Sequence, residues 1–87
     1  MALEIKHDET AQEFVALLNQ EDIGELAYAM PEEDVIDFQH TFLEKQFRGK
    51  GYGDQLIKHG IDYAQEKGYR IMASCPAVSN YLERHPL

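Results

Sequence analysis

The pattern of apolar and polar positions changes period once along the chain. Residues 14–18 and 25–30 are short apolar runs. The polar segment 19–24 between them ends in a turn-permissive glycine, so the pair predicts hairpin strands. Pro31 and three acids then punctuate the chain, and residues 35–43 resume with β-branched and aromatic side chains as a further strand. Strict alternation on it puts Ile36, Phe38, His40 and Phe42 on one face and Asp37, Gln39, Thr41 and Leu43 on the other. Residues 3–7 read as an earlier strand followed by a turn.

Beyond Gly53 the spacing becomes helical. Leu56, Ile57, Gly60, Ile61 and Ala64 form one apolar stripe and Gly68 is placed to cap it, which predicts an amphipathic helix of about 15 residues. Residues 70–74 read as a short strand, and Pro76 suits the first turn of a last helix over 77–84. A strand, helix and strand in succession give a right-handed crossover with parallel strands. The predicted fold is α+β: a mixed sheet of antiparallel strands followed by a β-α-β crossover and a C-terminal helix. Eighty-seven residues with no repeat or linker predict a single domain over 1–87.

Composition narrows the function classes. Apolar residues at 44% and charged ones at 28% exclude a disordered tail or a fibrous repeat. The net charge of -8 is uneven: residues 1–43 carry eleven acids against Lys6, whereas residues 44–87 carry a slight basic excess. An acidic first half argues against nucleic acid and permits a cationic partner such as an amine; the basic excess suits an anion. There is no run of about 20 apolar residues to span a bilayer and no signal-peptide pattern at the start, so a cytoplasmic protein without membrane contact is expected. One cysteine, Cys75, and four scattered histidines give neither an internal disulfide nor a metal-binding spacing.

The chemistry is concentrated in Arg48, Gly49, Lys50, Gly51, Tyr52 and Gly53, between a predicted strand and the amphipathic helix. Alternate glycines let several backbone N–H groups point into one concavity, and the helix start adds its positive pole, so the turn suits phosphate. Arg48 and Lys50 add charge at its rim. The dinucleotide fingerprint fails, because Asp54 stands where its third glycine is needed and Ala73 where an acid would be, and the nucleotide-triphosphate loop is absent. The bland alternative is a loop whose glycines only permit a bend.

Arg48-x-x-Gly51-x-Gly53 resembles the [QR]-x-x-G-x-[GA] pyrophosphate motif of the GNAT superfamily of acyl-CoA-dependent N-acetyltransferases. The residues 40–42, Leu56, 62–64, 74–76, Tyr81 and 84–86 are similar to its small single-domain YjdJ-type branch. The resemblance implies acetyl-CoA as cofactor, with its pyrophosphate on the amides of residues 49–53 and Asn80 nearby. It implies that the strand ending at Leu43 and the one starting at Arg70 are parallel neighbours that splay apart. The coenzyme's pantetheine arm would then bond the backbone of Thr41, Phe42 and Leu43, whose side chains are expected to be replaceable. The Thr41 region would polarise the thioester carbonyl.

Four side chains are catalytic candidates. Tyr81 corresponds to a tyrosine that in this superfamily protonates the departing thiolate; its competing role is packing of the last helix. Cys75, before a proline at a helix start, could carry an acyl group, although a lone cysteine at a strand end is commonly a small apolar residue. Asp37, expected on the face of Thr41, and His40, nearer the thioester, are candidate bases for the amine.

The six residues between the first two hairpin strands replace helices that wall the acceptor groove in larger members. An open acceptor site is therefore expected, suited to a protein or extended amine or completed by a partner subunit; Tyr28, Met30 and Phe38 are candidates for its surface, although single apolar residues on strands are usually core. A monomer or weak homodimer is expected. The competing functions are a non-catalytic acyl-CoA-binding module, transfer through acyl-Cys75, and an interaction domain without a cofactor.

Overall fold

A computed structural model describes residues 3–87. The chain forms β1 (Leu3–Asp8), β2 (Glu13–Leu18), β3 (Glu21–Glu32), β4 (Val35–Leu43), a 3-10 turn (Lys45–Phe47), α1 (Tyr52–Lys67), β5 (Arg70–Ala73) and α2 (Pro76–Arg84). The sheet order is β1-β2-β3-β4-β5, with antiparallel pairs up to β4 and a parallel β4–β5 pair. This is the α+β architecture expected from the periodicity, and α1 buries the stripe Leu56, Ile57, Gly60, Ile61 and Ala64. Gly68 ends α1 with φ 74°, its N–H on Gln65 and that of Tyr69 on Ala64.

The β2–β3 hairpin departs from the expected 19–24 turn. Only Asn19 and Gln20 form it, with φ 52° and 69°, the left-handed pair of a two-residue turn whose twist matches the strands. Gly24 instead lies inside β3, because a Cβ there would run into the Phe42 carbonyl and crowd Leu43. The missing side chain lets β3 and the end of β4 approach closely.

A second departure decides which residues face the site. Ala27 opposes His40 while Tyr28 opposes Phe38, so Gln39 is an extra residue on β4. Such a bulge breaks alternation. Beyond it Thr41 pairs with Leu26 and Leu43 with Gly24, which brings both onto the face of Phe38. The opposite face carries Asp37, paired with Ala29, together with His40 and Phe42. Asp37 and Thr41 therefore lie on opposite faces, contrary to the alternation rule.

The core lies between the Phe38 face and the helices. Phe14, Ile23, Leu26, Ile36, Phe38, Leu56 and Val78 are its largest fully buried side chains. Gly60 lets α1 sit down on the sheet, since a Cβ there would stand 2.7 Å from Leu26 Cδ2 and 3.0 Å from Phe38 Cε1. Tyr28 and Phe38, expected on an acceptor surface, are buried in this core, and Met30 is half-buried. The helix packed over β1–β3 is chiefly α1, whereas α2 lies against β4, β5 and α1. Among the described residues the other face of these strands, with Val15, Glu25 and Ala27, carries no helix.

Candidate active site

The site forms where β4 and β5 part. Their register runs from Val35 opposite Arg70 to Phe38 opposite Ala73. A last bond joins Cys75 N–H to the Phe38 carbonyl at 2.9 Å. Pro76 then turns the chain into α2, while β4 continues for five residues to Leu43. Among the described residues no strand lies beside the β5-side edge of β4 from Gln39 to Leu43, so backbone groups there can pair with an extended chain.

Two contacts fix the apex of this gap. The Asp37 carboxylate accepts the Ser74 N–H at 3.1 Å and the Ser74 hydroxyl at 2.9 Å, with the Gln39 amide at 3.5 Å. At 8% exposure that side chain is buried and largely satisfied. On the other face the Thr41 hydroxyl meets the Cys75 sulfur at 3.3 Å. The Thr41 side chain, expected to be replaceable, thus bridges the two strands. Burial pushes the Cys75 thiol up, but the Thr41 hydroxyl and the N–H groups of Val78, Ala77 and Thr41 outweigh it and hold the thiol below its ordinary range.

The glycine turn lies beyond the open end of β4. Gly49 and Gly51 have φ 79° and 84°, and a Cβ built on either meets nothing within 4 Å, so the strain there is conformational and the space is open. The first helical bond of α1 runs from Gln55 N–H to the Gly51 carbonyl. The amides of Tyr52, Gly53 and Asp54 therefore precede the helical ladder and can receive an anion at the positive pole of α1. Arg48 donates its Nε–H to the Leu43 carbonyl at 2.8 Å, which ties the rim of the turn to the end of β4. Lys50 is exposed and Tyr52 half-buried against Phe47, with ring centroids 6.5 Å apart.

The sequence profile of the GCN5-related N-acetyl-transferase family matches residues 13–87, which include the gap, the glycine turn and both helices. The chain belongs to the GCN5-related N-acetyltransferase family. Human protein NATD1 is 27% identical over 86 residues, covering 98% of this chain and 76% of NATD1. The fold resembles that of a GCN5-like N-acetyltransferase from Staphylococcus aureus, with a TM-score of 0.73, 29% identity, and coverage of 94% of this chain and 79% of that one. It also resembles a GNAT family acetyltransferase from Elizabethkingia anophelis solved with acetyl-CoA bound, with a TM-score of 0.67, 22% identity, and coverage of 83% and 50%.

Within this acetyltransferase framework the remaining candidates are dispersed. Tyr81 is buried on α2, its ring 4.5 Å from that of His85, whereas Asn80 on the same helix is exposed. His40 and Phe42 are exposed on the helix-free face, on the side of β4 opposite Thr41 and Cys75. Ser74 and Arg84 lie in the runs that carry the family resemblance, but neither the bond of Ser74 to Asp37 nor the ion pair of Asp54 with Arg84 is readable from the sequence. Both pairings join residues 30 or more apart, and no local pattern announces them. Among the described residues no cluster of His, Cys, Asp or Glu is arranged to hold a metal ion, and no helix is long and apolar enough to cross a membrane.

Proposed function

We propose that this chain is an acetyl-CoA-dependent N-acetyltransferase that moves acetyl to a primary amine by direct attack. The observation that carries the reading is the gap between β4 and β5 opening toward a turn with unpaired amides. The residues present fit the coenzyme: an extended pantetheine can take the strand position beside residues 39–43, and a diphosphate can take the open space beside Gly49 and Gly51, next to the free amides at the start of α1. The coenzyme supplies an acyl group activated as a thioester.

The protein's own groups divide the rest of the work. The Thr41 N–H, which helps hold the Cys75 thiol down at the apex of the gap, serves as donor to the carbonyl oxygen as charge gathers on it. The amine arrives from the face of β4 on which His40 and Phe42 are exposed. His40 takes the amine's proton: it is exposed on that face, whereas Asp37 is buried and its oxygens are already engaged by Ser74 and Gln39. The nitrogen–carbon bond forms as the carbon–sulfur bond breaks. Tyr81 gives a proton to the departing sulfur and regains one from water, so the products are an amide and a free thiol.

One observation favours a second route, in which Cys75 first accepts the acetyl group. Its thiol is held below the ordinary range at the apex of the gap. The sulfur would attack the thioester carbon and expel the coenzyme thiolate, and the amine would then displace Cys75. No basic side chain is bonded to that sulfur, whose side-chain partner is the Thr41 hydroxyl, and direct attack is therefore preferred.

Thiol release followed with excess acetyl-CoA separates the readings. Direct transfer gives release that requires an amine and survives Cys75→Ala within about threefold. A stoichiometric burst without amine, abolished by Cys75→Ala, establishes the acyl-cysteine route. Tight coenzyme binding with no release across a panel of lysine peptides, polyamines and aminoglycosides would leave a non-catalytic binding module.

A further inference from the structure

Asp54 is out of place at a diphosphate site. It is the third residue of α1, its own amide is among those free to receive the anion, and its carboxylate adds a negative charge to the same helix end. The structure shows what compensates for it. Arg84, on the last turn of α2, forks onto this carboxylate, with Nη1 3.1 Å from Oδ2 and Nη2 3.1 Å from Oδ1. The guanidinium also lies over the Tyr81 ring, 5.8 Å from its centroid.

The geometry points to Arg84 as a positioning residue for the coenzyme, acting through Asp54: it cancels the carboxylate that would otherwise repel the diphosphate, and so couples α2 to the glycine turn. This rests on the coenzyme reading above. Asp54 in turn has an ordinary use, since a carboxylate in a first helical turn stabilises the helix; the pairing preserves that contribution while removing its cost to an incoming anion. The bonded guanidinium holds the Asp54 carboxyl below its usual range, so the acid stays ionised and the compensation is needed throughout the neutral range.

The test uses the fact that two substitutions break the same ion pair but leave opposite charges behind. Calorimetric coenzyme A affinity is measured for the wild type, Arg84→Met, Asp54→Asn and the double variant, alongside thermal midpoints. Arg84→Met is expected to weaken binding by about tenfold or more, the lower figure being the scale of one uncompensated charge acting through water on a doubly charged anion roughly 7 Å away. Asp54→Asn is expected to leave affinity unchanged or tighten it, and in the double variant it restores affinity to within about twofold of wild type. Arg84→Lys, which keeps the charge without the fork, should retain most of the affinity. The deficit of Arg84→Met should shrink as salt rises.

A clasp that merely holds the helices together would weaken coenzyme binding in both single variants, and that result overturns the proposal. A double variant as weak as Arg84→Met also overturns it, because Arg84 would then act on the coenzyme directly. A wild type indifferent to coenzyme A would remove the underlying function before any variant is made, and is recognisable as that failure.

Discussion

The two ends of the sheet are built for different ends. At the β1–β3 end every strand is paired, and the space under α1 is filled by rings: His7 stacks on Phe14 with centroids 4.2 Å apart and meets the Tyr63 edge at 4.4 Å. His7 Nε2 bonds the Tyr28 hydroxyl, and burial pushes the Tyr28 hydroxyl up to about 12. At the β4–β5 end the strands part after four paired residues, β4 runs on for five residues past its pairing with β5, and glycines with positive φ form the turn. Ring packing is concentrated at the first end, and the proposed coenzyme site lies at the second.

The comparison can be broken from either side. The largest effect expected is from Phe14→Ala, which removes a fully buried ring and should cost about 3 to 5 kcal/mol of stability. That is much of the stability of a domain this small, typically about 4 to 13 kcal/mol at this length. Urea unfolding would measure it, and coenzyme affinity of the remaining folded fraction should be unchanged. At the open end, Tyr81→Phe should lower kcat by about a hundredfold in a thiol-release assay while leaving coenzyme affinity within threefold; equal activity would return Tyr81 to a packing role. Arg48→Glu, beside the glycine turn, should weaken coenzyme A binding by at least tenfold in calorimetry. Lys58→Gln, on the flank of α1 where it pairs with Asp62 at 2.7 Å, should change it little.

A smaller effect sharpens the comparison through pH. Burial, the largest cause, holds the His7 imidazole below its ordinary value of 6.5. The unfolded chain therefore binds a proton that the folded one resists, so the stability contributed by neutral His7 is complete above about pH 6.5 and lost as pH falls below it. Thermal midpoints between pH 7.5 and 5.5 should drop less in His7→Gln than in wild type, though other groups add to both slopes. Identical slopes would show that the ring stack does not resist protonation.

The fold was legible to the extent that its determinants are local. The stripe of α1, its glycine cap and the order of strands can be read from period alone, and the glycine turn is a run of six residues. The site's orientation was hidden because it depends on register. An extra residue at Gln39 cannot be seen until β3 is laid beside β4, and it exchanges the faces of Thr41 and Leu43 relative to Asp37. The same holds for Thr41 with Cys75, which lie 34 residues apart, and for Asp37 with Ser74. Asp37 is a candidate base from its expected place on the face of Thr41, four residues before it, and its burial and its bonds to Ser74 become visible only in the fold.

The measurement that bears most directly on the account is an amide-shift titration of the isotopically labelled protein with coenzyme A. The expected result is saturable change at residues 49–54 and along residues 39–43, with the amides of His7, Phe14 and Tyr63 still. No saturable change, or change confined to the β1–β3 end, would contradict the assignment of the parted strands and the glycine turn as the coenzyme site.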